Sequence, residues 1–156
     1  MSPSGRKWEK LEMFFGSYFH NLDDKNRLCL PSKLRQKLVD KVYILKGYDG
    51  CISLFGEESF QKYVEGLSTL SFANHLSRDV ERIALSSVYE LEIDKANRVQ
   101  IPTALVEKYA ITKEVVVLGL INHIEIWSKD KWEKYLLDNE KDFEEKSEEL
   151  LKTNDK

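Results

Sequence analysis

A ten-residue motif occurs twice in this chain, so any fold proposed for it has to accommodate two copies of one unit. Leu22-Asp23-Asp24-Lys25-Asn26-Arg27-Leu28-Cys29-Leu30-Pro31 aligns with Ile93-Asp94-Lys95-Ala96-Asn97-Arg98-Val99-Gln100-Ile101-Pro102 at an offset of 71 residues, and Leu34 then falls on Leu105. After one inserted residue the match resumes at an offset of 72. There Ile44-Leu45-Lys46-Gly47 falls on Val116-Val117-Leu118-Gly119, and Ile52-Ser53-Leu54-Phe55 on Ile124-Glu125-Ile126-Trp127. Phe60-Gln61-Lys62-Tyr63 follows on Trp132-Glu133-Lys134-Tyr135. A single change of register over more than 40 residues marks a tandem duplication.

Each unit reads as the same series of elements. An extended segment (Phe14 to Leu22; Val88 to Ile93) leads into a polar turn. A short strand follows, alternating Leu28 and Leu30 with Cys29, or Val99 and Ile101 with Gln100. Pro31 and Pro102 end that ladder, because proline lacks the N–H, and they suit the opening of a helix. Ser32 to Val39 is expected to be helical, with Leu34 and Leu38 on one face and Lys33 and Lys37 on others. Two more strands, Tyr43 to Gly47 and Cys51 to Phe55, are joined through Tyr48-Asp49-Gly50, where Asp-Gly is a good turn pair. Gly56 to Val64 closes the unit as a short helix anchored by Phe60 and Tyr63. The boundaries predicted are a first unit over 13–66, a linking helix over 67–86 and a second unit over 87–136. Asn74 caps the linking helix, whose Leu76, Val80, Ile83, Ala84 and Val88 form one packing stripe. An extension, 1–12, and an acidic tail, 137–156, flank this body; the tail holds few apolar residues and reads as a frayed helix or a disordered segment.

The net charge of −3 is unfavourable for a phosphate binder until it is located. Asp138 to Lys156 alone carries −4, which leaves the rest of the chain slightly positive. Within that body, Leu22 to Lys41 carries +3 and Ile93 to Lys113 carries +2, a locally basic strip that falls on the repeated motif. No apolar run approaches the ~18 residues of a membrane span. The polar start, Met1 to Glu12, has no apolar stretch, so no secretory leader is expected there. Cys29 and Cys51 sit among apolar neighbours and are read as buried small hydrophobes of a reducing compartment.

Catalytic patterns are missing. His20, His75 and His123 show no metal-ligand spacing, and there is no Cys-x-x-Cys, phosphate-binding glycine loop or nucleophile elbow. No metal, cofactor or small-molecule substrate is expected. Asp23 and Asp94 could be imagined as acid–base carboxylates, but an Asp opening a tight turn ordinarily accepts backbone N–H bonds and holds that turn. Asp-x-x-Asn-Arg recurs as Asp23, Asn26, Arg27 and as Asp94, Asn97, Arg98. Asn tolerates a left-handed backbone better than other non-glycine residues, so a sharp reversal is expected before each Arg. Each Arg can pair with the Asp four residues back and still present a donor fork suited to phosphate or guanine.

These residues resemble the MraZ family, bacterial DNA-binding proteins of the AbrB-like superfamily built from two tandem AbrB-type units. The resemblance runs from about Met13 to Tyr135 and includes Met13-Phe14-Phe15-Gly16, the twice-repeated turn followed by apolar-x-apolar-Pro, and Ile124-Glu125-Ile126-Trp127. The family glycine of the turn is Asn26 and Asn97 here, and the family lysine is kept as Lys25 but replaced by Ala96. Residues 1–12 precede the usual family start and are assigned no function. The resemblance implies an α+β, β-rich fold in which the two units interleave as a double-split, swapped-hairpin β-barrel with short helices outside. It implies a ring-shaped homo-oligomer, located in the cytoplasm at the nucleoid. The function implied is transcriptional control of the cell-division and cell-wall gene cluster through short direct repeats in double-stranded DNA. On this reading Arg27 and Arg98 contact base edges. Lys25, Lys33, Arg35, Lys37 and Lys95 contact phosphates, Asn26 and Asn97 belong to the same surface, and Asp23, Asp94, Pro31 and Pro102 hold the turns. AbrB-type units also occur in toxin-neutralising proteins, which leaves an antitoxin-like interaction protein as the alternative.

Overall fold

The first strand of each unit pairs with the other unit instead of its own. In the computed structural model, which describes residues 13–154, β1 (Phe14–Asn21) lies antiparallel on β7 (Glu114–Ile121), from Phe14↔Ile121 to Asn21↔Glu114. Reciprocally, β5 (Tyr89–Glu92) lies on β3 (Lys41–Lys46). With β4 (Ile52–Gly56) and β8 (His123–Ser128) between them, the strands form one antiparallel sheet of order β1-β7-β8-β4-β3-β5. Exchanging the units reverses this order onto itself, so the sheet has a pseudo-twofold axis. The axis passes through the central Ser53↔Glu125 pair of β4 and β8. A separate ribbon, β2 (Arg27–Cys29) on β6 (Arg98–Gln100), straddles the same axis at Leu28↔Val99. The expected interleaving is present. The expected barrel is not closed: among the described residues β1 and β5 remain the two ends of the sheet, and the ribbon is a sheet of its own. Each edge strand is diverted by its polar turn into a three-residue strand that soon meets Pro31 or Pro102, too short to complete a ladder.

One apolar core fills the space between sheet and ribbon. Leu28 and Val99 face inward from the ribbon and Val42, Ile44, Ile52, Leu54, Val117, Ile124 and Ile126 from the sheet, all inaccessible to solvent. The close fit of β1 on β7 depends on Gly119, where a Cβ would come within 2.7 Å of the Phe14 carbonyl carbon. In the β3–β4 hairpin, Asp49 (φ 62°) and Gly50 (φ 86°) both take the left-handed region that an Asp-Gly turn pair supplies.

The register of the repeat differs in one place from the sequence alignment. Core-facing Ile44 pairs with Leu54, and Val117 pairs with Ile126, so the structural equivalent of Ile44 is Val117 and not Val116. The cause is the hairpin: five residues separate the Lys46↔Ile52 pair, but four separate Gly119↔Ile124. A one-residue slip would turn every side chain of the strand to the wrong face.

The helices also depart from expectation. α1 (Ser32–Arg35) stops well before Val39, its last turn tightened by i→i+3 bonds from Lys37 N to Leu34 O and Leu38 N to Arg35 O. α2 (Glu57–Ser68) runs past Val64. α3 (His75–Ser86) is capped by the Asn74 side chain, which accepts from Leu76 N and Ser77 N. Its apolar stripe does not pack, however: Leu76, Val80 and Ile83 are 72%, 46% and 56% exposed. After α4 (Thr103–Lys108) and α5 (Lys129–Asn139), the acidic tail continues through a 3₁₀ turn (Glu140–Asp142) into α6 (Phe143–Asn154). That tail was expected to be frayed or disordered; it is helical, and its Glu, Lys and Leu content favours that state. Cys51 is buried, and burial pushes its thiol far above the ordinary range. Cys29 is exposed because it alternates outward between Leu28 and Leu30. The 1–12 extension lies outside the described residues.

The axis residues bear on stability directly. Leu28→Ala is expected to cost about 2–5 kcal/mol in urea denaturation, and Val39→Ala, at an exposed site, about 0.5 kcal/mol or less.

Candidate nucleic-acid interface

Both Asp-x-x-Asn-Arg segments fold into the same hydrogen-bonded turn. The Asp23 Oδ1 accepts the backbone N–H groups of Lys25 and Arg27, both at 2.9 Å, and Oδ2 accepts Arg27 Nε at 2.6 Å. Asp94 repeats this with Ala96 N and Arg98 N at 2.9 Å and Arg98 Nε at 2.9 Å. Each turn also has two backbone bonds, Asn26 N to Asp23 O and Asp23 N to Arg27 O in the first, with their counterparts at Asn97, Asp94 and Arg98 in the second. The reversal is made by Asn26 (φ 59°) and Asn97 (φ 62°) in the left-handed region. No side-chain hydrogen bond to Ala96 is needed for this geometry, which is why the second turn keeps its shape without the lysine.

The two turns are joined to each other. Leu30 N donates to Asn97 O and Ile101 N to Asn26 O, so each left-handed residue is tied to the opposite unit's strand. Gln100 Nε2 donates to Lys25 O at 3.1 Å, and Arg98 Nη1 lies 4.0 Å from Asp23 Oδ2. With Leu28 and Val99 directed into the core, the alternation turns Arg27, Cys29, Arg98 and Gln100 to the opposite, outer face of the ribbon. Arg27 and Arg98 stand at diagonal corners, and Lys25 and Lys95 are exposed at the turn tips. Both arginine side chains are about one third exposed, 30% and 34%. Each is held through Nε, which leaves the terminal amino edge of the guanidinium directed away from its carboxylate. An exposed ion pair of this kind adds ~1 kcal/mol or less to stability. Its main effect is to fix the direction of the fork.

The remaining basic residues are distributed differently. Lys33 is exposed on α1, beside a cleft of about 690 Å³ that also contains His20, Cys29, Ser32 and Asn97. Arg35 is engaged within the chain: Nε donates to Asn97 Oδ1 at 3.1 Å, and Nη1 donates to the carbonyls of Leu38 and Val39. Lys37 Nζ donates to Met13 O at 2.7 Å and lies over the Phe15 ring, at the far end of β1. Both cations are thus engaged by groups of their own chain, Arg35 next to the second turn and Lys37 at the start of β1. Pro31 and Pro102 precede α1 and α4 at φ −55° and −56°. Gln100 and Cys29 were not singled out as surface groups; the alternation of β2 and β6 already placed both opposite the core.

The MraZ family profile, described as "MraZ protein, putative antitoxin-like", matches residues 13–83 and again 84–154, together spanning all of the described residues. The chain belongs to the MraZ family. It is 40% identical over 134 residues to the transcriptional regulator MraZ of Mesoplasma florum, covering 85% of this chain and 92% of that protein. The Finegoldia magna transcriptional regulator MraZ is 38% identical over 133 residues, with 85% and 93% covered. That of Clostridium acetobutylicum is 41% identical over 123 residues, with 79% and 87% covered. The two family matches correspond to the two structural repeats, each with one arginine turn, and each extends into the helix that follows its unit. No helix among the described residues is long and apolar enough to cross a membrane.

The MraZ-type turn has a built-in acid limit. Hydrogen bonds to Asp23, first from the backbone N–H of Arg27 and then from its side chain, hold the carboxyl below its usual pKa; Arg98 does the same for Asp94. A depressed carboxyl pKa contributes stability that is complete above the unfolded value near 4 and lost as pH falls through the folded value. Asp94→Asn is therefore expected to flatten the pH dependence of unfolding free energy below about pH 4, measured by urea titration at successive pH values, and to leave the dependence above pH 5 unchanged.

Proposed function

We propose that this chain is a DNA-binding transcriptional regulator, and that the outer face of the β2–β6 ribbon is its reading surface. The observation that carries this reading is the pair of Asp-oriented guanidiniums, Arg27 and Arg98, fixed on one rigid face by turns that brace each other. The names of the relatives support it. A guanidinium fork held at a fixed angle can donate to O6 and N7 of guanine together, the commonest specific contact in the major groove. Lys25, Lys95 and Lys33 supply phosphate contacts that position the ribbon, and Asn26 and Asn97 bring the backbone close to the duplex. Arg35 acts indirectly, through its bond to Asn97. Nothing in this reading requires catalysis or a cofactor.

One ribbon offers few base-reading groups, which is little for tight specific binding. A homo-oligomeric ring that repeats the ribbon gains affinity by effective concentration when several copies engage successive sites. Subunits related by a ring rotation present ribbons in the same sense, so short direct repeats are the site they match. The promoter of the cell-division and cell-wall gene cluster is the proposed target, in the cytoplasm at the nucleoid.

The two kinds of basic residue separate in a binding experiment on the chain's upstream DNA and on random DNA. Arg27→Ala should cost about 1–3 kcal/mol per engaged turn and narrow the gap between specific and random sequence. Arg98→Ala should behave alike. Lys33→Ala should weaken both DNAs similarly and reduce the salt dependence by about one phosphate contact per engaged subunit. Thermal melting alongside distinguishes lost contacts from a lost turn. A folded Arg27→Ala that discriminates as well as the wild type would remove the ribbon as the reader.

A further inference from the structure

A reading surface with exact twofold symmetry binds a site and its reverse complement equally, because turning the duplex end for end restores every contact. Arg27 and Arg98 exchange under the ribbon's axis at Leu28↔Val99 and are held alike by their carboxylates. They therefore cannot give the site a direction, yet every direct repeat has one. Direction has to come from groups that differ between the two units.

The outer face of the ribbon strands carries Arg27, Cys29, Arg98 and Gln100, and its halves differ only in Gln100 standing where the first unit has Cys29. At the turn tips Asp24-Lys25 corresponds to Lys95-Ala96, one lysine on each, and lysine contacts to phosphate carry no sequence information directly. Gln100 lies directly opposite Arg27 in the ladder, and Cys29 opposite Arg98. Opposed side chains start roughly 4.5–5.5 Å apart, comparable with the ~3.4 Å between successive nucleotides of a strand, so such a pair can address neighbouring base pairs. The exposed Gln100 side chain is also oriented, because Nε2 donates to the Lys25 carbonyl at 3.1 Å across the ribbon. That bond uses one amide hydrogen and leaves the other, with Oε1, for a base edge. The thiol of Cys29, short and weakly hydrogen-bonding, offers no equivalent.

We propose that Gln100 is a specificity-determining residue that reads adenine in the base pair next to the guanine contacted by Arg27, and that it thereby gives each ribbon its direction on DNA. Oε1 accepts from adenine N6 and the remaining amide hydrogen donates to N7, the pairing that suits a glutamine in the major groove. The other half, Arg98 with Cys29, reads its guanine alone. Each subunit's site is then lopsided, two bases read at one end and one at the other, as repeats that all run in one sense require. The inference rests on the ribbon being the reading surface and adds a second base type to what that surface reads.

Selection from a library of random duplexes, with the full chain and with variants at these two exposed positions, tests this. Gln100→Ala should keep the guanine preference and lose the adenine preference, a loss of roughly 5-fold or more per engaged subunit. Gln100→Glu has acceptors only and should exchange adenine for cytosine, whose N4 donates. Cys29→Gln puts an amide beside Arg98 and should add an adenine preference at the twofold-related position, making each site nearly palindromic. Circular dichroism and light scattering on each variant separate a lost contact from a lost fold. A Gln100→Ala variant that selects the wild-type motif, weakens all sequences alike, or loses a base other than adenine would overturn the proposal while leaving Arg27 as a reader. Retention of adenine by Gln100→Glu, or of the wild-type motif by Cys29→Gln, would do the same. A wild type that selects no motif would overturn the reading surface and this inference together.

Discussion

The exchange of first strands between the units is the constraint on which the rest of this molecule depends. β1 has its ladder on β7, and β5 has its ladder on β3. Neither unit can complete its sheet alone, and the polar turn after each exchanged strand is carried back to the axis. Leu22 N bonds Lys113 O and Ile93 N bonds Asp40 O, which holds each strand's exit against the opposite unit. The two turns therefore emerge side by side, and Leu28 and Val99 meet beneath them without access to solvent. A pair of arginines far apart in sequence becomes one surface by this route. The core is thus the scaffold of the proposed reading surface as well as its source of stability.

The pseudo-symmetry is closest at the backbone and weakest in the side chains. Asp, Asn and Arg recur at both turns with nearly identical hydrogen bonds. Around them the groups differ: Lys25 faces Ala96 across the repeat, and Gln100, which bonds the Lys25 carbonyl, corresponds to Cys29. Duplication preserved what sets the shape of the turn and let the surrounding donors diverge. On the proposed function, the two halves of the ribbon then present different chemistry to the two DNA strands.

Much of this was legible because the repeat constrains both copies at once. The strands, the left-handed Asn residues and the cap at Asn74 follow from local rules that need no tertiary information. What was not legible depends on packing. The slip of β3 against β7 comes from a hairpin longer by one residue, which neither copy reveals alone. The charge of Arg35 and Lys37 is visible in a sequence, whereas the carbonyls of Leu38, Val39 and Met13 that engage them are not. The stripe on α3 was expected to be covered because helical spacing shows that a face is apolar without showing what lies against it.

The central claim is that Arg27 donates to a guanine edge from a turn fixed by Asp23. A double-mutant cycle between Arg27→Ala and 7-deazaguanine, placed at each guanine of the bound repeat in turn, tests it most directly. The base analogue lacks the N7 acceptor and leaves Watson–Crick pairing intact. At one guanine per engaged turn, the loss caused by the analogue in the wild type should be largely absent in the variant, a coupling of about 1 kcal/mol or more. Losses that simply add at every guanine would show that Arg27 does not read the base.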